Sequence, residues 1–196
     1  MTTVTLIRHG ETVWNRLGRW QGIAPVPLSE NGEQQAKQSS QALLNTGITH
    51  IISSDLYRTR QTADLLNTSL NLPISLDKRW REIDVGRWQG LTMDEIKQYD
   101  YEAYTAYQEA PFIDRVFPEG EIRYQQSERV VVALNALLQK HTDEHILVVT
   151  HGGSIQCLLH HLTGFDGHHS ANCAITKLRY TDTWEILAIN KRYEPS

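Results

Sequence analysis

Apolar positions along the chain fall into two rhythms that alternate. Short runs rich in Val, Ile and Leu occur at VTLI (4–7), ITHIISSD (48–55) and HILVV (145–149), each bounded by Gly, Ser or charged residues. Such runs predict buried strands. Between them, apolar residues return at helical spacing in LSENGEQQAKQSSQALL (28–44), LYRTRQTADLLNTSL (56–70), QQSERVVVALNALLQKH (125–141) and SIQCLLHHLTG (154–164). Ser29 is the expected N-cap of the first of these helices and Gly47 its stop, with Asp55 near the N-cap of the second. AITKLRY (174–180) and WEILAIN (184–190), joined by Thr181, Asp182 and Thr183, read as an antiparallel pair. Residues 80–120 mix Gly, Trp, Tyr and charges without a clear period and are expected to be irregular.

Strands alternating with helices imply an α/β fold with a largely parallel sheet covered by helices. At 196 residues, 40% of them hydrophobic, the chain is expected to form one domain spanning 1–196. A net charge of −4 argues against nucleic-acid binding. The apolar start is cut short by Arg8, too early for a signal-peptide core or membrane span, so a cytoplasmic protein is expected. Cys157 and Cys173, the only cysteines, lie in apolar surroundings and read as buried free thiols. The oligomeric state stays open, with a homodimer through the C-terminal strand as one arrangement.

Chemistry concentrates where strands end. LIRHG places Arg8, His9 and Gly10 after the first strand, and VVTHGG places His151, Gly152 and Gly153 after the strand at 145–149. Ligands of open α/β sheets bind at the carboxyl ends of their strands. If these two strands are neighbours, His9 and His151 face one another, with Arg8 beside them and Arg58 arriving from the second helix. Guanidinium groups and close-approaching backbone amides suit a phosphate. A neutral histidine can attack phosphorus through one ring nitrogen while the other donates to a fixed acceptor. Two arginines and a protonated histidine could stabilise the transferring group without a metal. A leaving oxygen also needs a proton, for which Glu82 is the candidate, with Glu11 and Asp84 as competitors; a bound phosphate would raise the pKa of such a carboxyl.

The stretches LIRHGETVWN (6–15), GRWQG (18–22), SSDLYRTRQTA (53–63), REIDVGRWQG (81–90) and VVTHGG (148–153) together resemble the histidine phosphatase superfamily, in its phosphoglycerate-mutase-like branch. The resemblance implies a three-layer α/β/α sandwich. It also implies His9 as the phosphorylated nucleophile, Arg8, Arg58 and His151 as phosphate-pocket residues, and Glu82 as proton donor. Asn15, Gln21, Gly22 and the backbone of Gly152 match further pocket positions. The implied partner is a small phosphomonoester, with no metal or other cofactor, no nucleic acid and no membrane. Mutases of the branch carry an inserted basic segment, whereas residues 99–117 contain Arg115 as their one basic residue, which favours a phosphatase over a bisphosphate-dependent mutase. A non-catalytic phosphate-binding domain is the third reading, disfavoured because nucleophile and proton donor are both present. PEGEI (118–122) and Trp80 depart from the usual pattern and fall where the leaving group is expected. Trp14, Trp20 and Trp88 are read as packing or as pocket flanks, Arg60 as a surface residue, and the histidine-rich HHLTGFDGHH (160–169) offers no metal-liganding order.

Overall fold

A computed structural model describes residues 1–192. The strands are β1 (Thr2–Arg8), β2 (Ile48–Ser53), β3 (Ile74–Leu76), β4 (His145–Thr150), β5 (Ile175–Tyr180) and β6 (Trp184–Lys191). They form one sheet in the order β3-β2-β4-β1-β5-β6. The β3, β2, β4 and β1 strands are mutually parallel, while β5 runs antiparallel to β1 and β6 to β5. The expected C-terminal hairpin is therefore present, appended to a parallel sheet. The helices are α1 (Val13–Arg16), α2 (Glu30–Leu43), α3 (Tyr57–Leu70), α4 (Met93–Tyr99), α5 (Tyr101–Glu109), α6 (Arg123–Lys140) and α7 (Gly152–Thr163).

The period of two in the strands divides the core between the faces of the sheet. Val4, Leu6, Ile146 and Val148 pack with Val130, Leu134, Ile155 and Leu158 of α6 and α7. Ile7, Leu147 and Val149 point the other way, onto Ala36 and Leu43 of α2 and Ala63 and Leu66 of α3. Strands covered on both faces need continuous apolar runs, which is why β1 and β4 read as unbroken hydrophobic stretches. The three-layer α/β/α arrangement follows. No helix among the described residues is long and apolar enough to cross a membrane. Cys157 and Cys173 are free and buried, and burial pushes each thiol up to about 12, which leaves them unreactive.

Several local expectations are corrected. The segment 80–120 is not irregular throughout, because it contains α4 and α5. A capping box between Thr92 and Glu95 starts α4, a signal present in the sequence as TMDE. Their short lengths, 7 and 9 residues, are sustained by a third core of Ile83, Val85, Trp88, Ile96, Tyr107 and Phe117, since isolated helices of that size are not stable in water. Asp55 does lie next to the N-cap of α3, which is Leu56 and makes no side-chain bond, and it pairs with Arg81 at 2.5 and 2.6 Å. The α6 and α7 helices each begin two residues earlier than expected, and the short β3 and α1 elements were not visible in the pattern.

The β1 end is pressed against the first turn of α2 with no room for a side chain. A Cβ on Gly32 would lie 2.0 Å from the carbonyl oxygen of Glu11, and one on Gly10 would lie 2.4 Å from the carbonyl oxygen of Gly32. These are backbone atoms and cannot swing away. Gly32→Ala is expected to destabilise the fold by about 1–3 kcal/mol through forced backbone movement, although Ala in a helix normally gains about 1 kcal/mol over Gly. A fall in the urea unfolding midpoint checks this, and an unchanged or raised midpoint contradicts it.

Candidate active site

Parallel pairing of β1 with β4 sets Arg8 opposite Thr150, and the His9 amide donates to the Thr150 carbonyl at 3.0 Å. The residues immediately beyond both strands are therefore side by side. The rings of His9 and His151 lie 5.3 Å apart, as the sequence led one to expect. Both are buried, at 2% and 0% exposure.

Arg58, at 1% exposure, joins them. Its Nε donates to His9 Nε2 at 3.2 Å, and its Nη2 donates to His151 Nδ1 at 3.1 Å and to the Gly22 carbonyl at 2.8 Å. Its Nη1 donates to the Ala24 carbonyl at 3.0 Å. These contacts assign the tautomers, because an arginine only donates. His9 accepts at Nε2, so its Nδ1–H donates to the Gly10 carbonyl at 2.8 Å. His151 accepts at Nδ1, so its Nε2–H donates to Ser54 Oγ at 2.9 Å. Burial, together with the positive charges of Arg58 and Arg8, holds His9 well below the usual histidine range. Burial, Arg58 and His9 do the same to His151. Burial and the neighbouring charges thus favour the neutral form of both imidazoles, and in this geometry His151 braces Arg58 through Nδ1. Burial, partly offset by the Glu82 charge, brings Arg58 itself down to about 10, still charged at neutral pH.

A cavity of about 250 Å³ opens over this group, lined by Arg8, His9, Asn15, Gln21, Gly22, Arg58 and Glu82 among others. Glu82 is the acidic side chain on its wall. Of the competing carboxylates, Glu11 accepts from Ser29 Oγ at 2.8 Å and Asp84 from the Gly86 amide at 2.9 Å, both away from the cavity. Glu82 Oε2 accepts from the Gly153 amide at 3.0 Å, and Oε1 accepts from Gln126 Nε2 and from the Ile83 amide, both at 2.9 Å. Burial pushes its carboxyl up, but the Arg123 charge and these bonds outweigh that and hold it below the usual carboxylate range. The protein alone therefore keeps Glu82 ionised, and the expected upward shift has to come from the charge of a bound phosphate.

Asn15 Oδ1 accepts from the Thr12 amide at 3.1 Å and from Asn172 Nδ2 at 3.2 Å, which leaves its Nδ2 donor for the cavity. Gly22 adopts φ +49° and sits where a Cβ would meet Val85 Cγ2 at 2.7 Å. Its part is to present a carbonyl to Arg58. The side-chain oxygen of Gln21 and the Nε atoms of Arg8 and Arg123 are buried without partners. Two such unspent cationic donors suit an anion. Gly152 opens α7, a helix of 12 residues whose N-cap is His151, so the first-turn amides and the positive end of the helix dipole lie at the strand edge.

Sequence reasoning missed Arg123, Gln126, Ser54, Asn172 and Gln156. Arg123 is buried at 6% exposure, lies 5.2 Å from the rings of both Phe112 and Phe117, and lines the cavity with Gln156. Its nearest sequence signal was its place directly after PEGEI. Of the tryptophans, Trp20 lines the cavity and meets Trp88 edge-on at 5.8 Å, whereas Trp88 is fully buried in packing and Trp14 packs under Gly90. Trp80 lies in the core beneath α6 and α7, not at the cavity. Arg60 is exposed, as expected. None of the histidines in 160–169 joins a potential metal-ligand group among the described residues.

Comparison with known proteins agrees with this geometry. The sequence model of the histidine phosphatase superfamily (branch 1) matches residues 4–192. A curated relative from Cronobacter sakazakii, "Probable phosphoglycerate mutase GpmB", is 36% identical over 185 residues, covering 92% of this chain and 86% of that protein. Among solved structures, the alpha-ribazole phosphatase of Shigella flexneri superimposes with a TM-score of 0.89 at 25% identity, covering 99% of this chain and 98% of that one. A mycobacterial glucosyl-3-phosphoglycerate phosphatase, solved in complex with VO3, gives 0.87 at 28% identity over 96% and 98% of the two chains. The chain therefore belongs to branch 1 of the histidine phosphatase superfamily and is a phosphatase-class enzyme.

Proposed function

We propose that the protein hydrolyses a small organic phosphomonoester through a phosphohistidine on His9, with Glu82 as the proton donor and no metal ion. The observation that carries this reading is the fixed tautomer of His9: Nδ1–H donates to the Gly10 carbonyl, so the lone pair sits on Nε2, directed at Arg58 and the cavity. In the first step Nε2 attacks phosphorus and the ester P–O bond breaks. The leaving alkoxide takes the Glu82 proton. In the second, water attacks the phosphohistidine, gives a proton back to Glu82, and the P–N bond breaks to release phosphate. Arg8, Arg58, Asn15 and the amide of Gly152 hold the equatorial oxygens and share their charge. Gln21 and Gly22 shape the mouth. His151 keeps Arg58 in place.

The cavity volume of about 250 Å³ lies below the usual range for drug-sized ligands, about 300–1,000 Å³, and supports a small substrate. Ile83, Val85 and Phe117 provide an apolar wall, while Arg19, Arg123 and Gln156 provide polar groups on the leaving-group side. The names of the relatives favour a second reading, phosphoglycerate mutase activity with a bisphosphate that keeps His9 phosphorylated. The two share their first half-reaction and differ in whether water or a second hydroxyl collects the phosphoryl group.

Incubation with a panel of small phosphomonoesters in the presence of a chelator is expected to release inorganic phosphate and leave an acid-labile phosphorylated protein after rapid quenching. His9→Ala is expected to abolish both. Interconversion of phosphoglycerates with added bisphosphate and no net phosphate release would replace hydrolase by mutase. Glu82→Gln is expected to lower kcat by about 10²–10⁴-fold for esters with poor leaving groups, and much less for p-nitrophenyl phosphate. Gly153→Ala is expected to give the same leaving-group pattern, because its Cβ would stand 2.2 Å from Glu82 Oε1 and drive the carboxylate off its three donors.

The pH profile follows from the two depressed groups. A His9 pKa well below 6.5 keeps the nucleophile neutral as pH falls through that value, and a lowered Glu82 pKa leaves the protonated acid scarce at neutral pH, its share growing only as pH falls. Both signs place the optimum of kcat/KM on the acid side of pH 6.5. An optimum at pH 8 or above contradicts the assignment.

A further inference from the structure

A second cluster of ionisable groups lies at the opposite edge of the sheet, where the parallel strands begin. His50 is on β2, His141 caps the C-terminus of α6, and Glu144 immediately precedes β4. Glu144 Oε2 is 3.1 Å from His50 Nδ1 and 3.4 Å from His141 Nδ1. The two rings lie 4.9 Å apart, and one ligand atom from each of the three residues falls within 4.8 Å of the others. All three are half-buried. The length of β4, six residues at about 3.3 Å each, puts some 20 Å between this cluster and His151. Nothing in the phosphoryl-transfer chemistry uses it.

We propose that His50, His141 and Glu144 bind zinc or a similar first-row divalent cation, clamping β2 to the turn between α6 and β4. Zinc holds nitrogen and oxygen ligands at about 2.0–2.1 Å in a tetrahedron, which places adjacent ligand atoms about 3.3–3.4 Å apart. The two carboxylate-to-imidazole separations of 3.1 and 3.4 Å already match those edges. Two imidazoles and one carboxylate form a borderline donor set that favours zinc over magnesium or calcium. Thr49 Oγ1 donates to Glu144 Oε2 at 2.7 Å and orients the carboxylate, as the partners of metal ligands commonly do. The fourth position faces solvent and takes water. Without metal, the same three side chains satisfy one another through imidazole N–H donation to the carboxylate, and the cation replaces those protons. The residues come from two segments distant in sequence, His50 in β2 and His141 with Glu144 in the turn between α6 and β4, so the ion acts as a cross-link in the folded chain.

The test is a zinc titration of the tag-free protein by calorimetry at pH 7.5, with cobalt(II) absorbance as a spectroscopic readout and the thermal midpoint as a third. One equivalent is expected to bind, with the intense visible bands of four-coordinate cobalt and a midpoint raised by several degrees at saturation. His50→Gln, His141→Gln and Glu144→Gln are each expected to weaken binding at least tenfold and remove the thermal shift, while turnover of p-nitrophenyl phosphate without added metal stays unchanged. His50→Gln, the most exposed of the three positions, keeps the test open if another variant folds poorly. Absence of saturable zinc uptake overturns the proposal. So does uptake undiminished in the variants, which places binding elsewhere, as at the histidines of 160–169, or a response to magnesium equal to that to zinc.

Discussion

The guanidinium of Arg58 is the interaction on which the site depends. A buried cation is tolerated only where its donors are satisfied, and here they are met by two imidazoles and two backbone carbonyls. Each contact does structural and chemical work at once. The carbonyls of Gly22 and Ala24 pull the loop after α1 over the strand ends. The bond to Nε2 of His9 selects the tautomer whose lone pair faces the cavity, and the bond to Nδ1 of His151 turns that ring toward Ser54. The same positive charge discourages either ring from taking a proton. With Arg8 also close by and Glu82 as the anionic wall residue, the region carries more positive than negative charge, and a phosphate dianion relieves that imbalance.

Arg58 can serve both histidines because the sheet delivers them together. Parallel register between β1 and β4 is fixed by apolar side chains packed on both faces, and a slip of one residue would turn each of them to the wrong side. The burial that stabilises the domain therefore also sets the spacing of the two rings. Gly10 and Gly32 let the chain leave β1 directly against α2, so the carbonyl that accepts from His9 Nδ1 is held by backbone contact and does not depend on a mobile side chain.

The parts of this arrangement that were legible in the sequence are those with a local signature. Buried strands followed by a histidine and glycine mark β1 and β4, and amphipathic runs mark α2, α3, α6 and α7. The position of Arg58 at the start of a helix that follows a strand could be read in the same way. Less legible were features decided by distant contacts. The α4 and α5 helices are too short for a clear hydrophobic period and exist because Trp20, Trp88, Tyr107 and Phe117 pack edge-on around them. The contact between Arg58 and His151 was not readable either, because it follows from burial beside a cation whose geometry no spacing rule describes.

Glu82 shows how far such long-range control extends. Its local sequence does not distinguish it from Asp84 two residues on. What separates them is the route of the backbone through 79–82, which Arg129 holds by donating to the carbonyls of Arg79, Arg81 and Glu82 while pairing with Glu121. Thr150 Oγ1 binds the Trp80 carbonyl and Ser154 Oγ binds that of Arg81, with the Asp55–Arg81 pair fixing the outer side. Polar groups from β4, α6, α7 and the turn before α3 thus converge on four residues of loop. The carboxylate reaches the cavity because its backbone is fastened at nearly every carbonyl, and the hydrogen bonds from Gly153 and Gln126 then set its orientation. A loop that forms little regular structure of its own thereby places the Glu82 carboxylate as firmly as the sheet places the His9 ring.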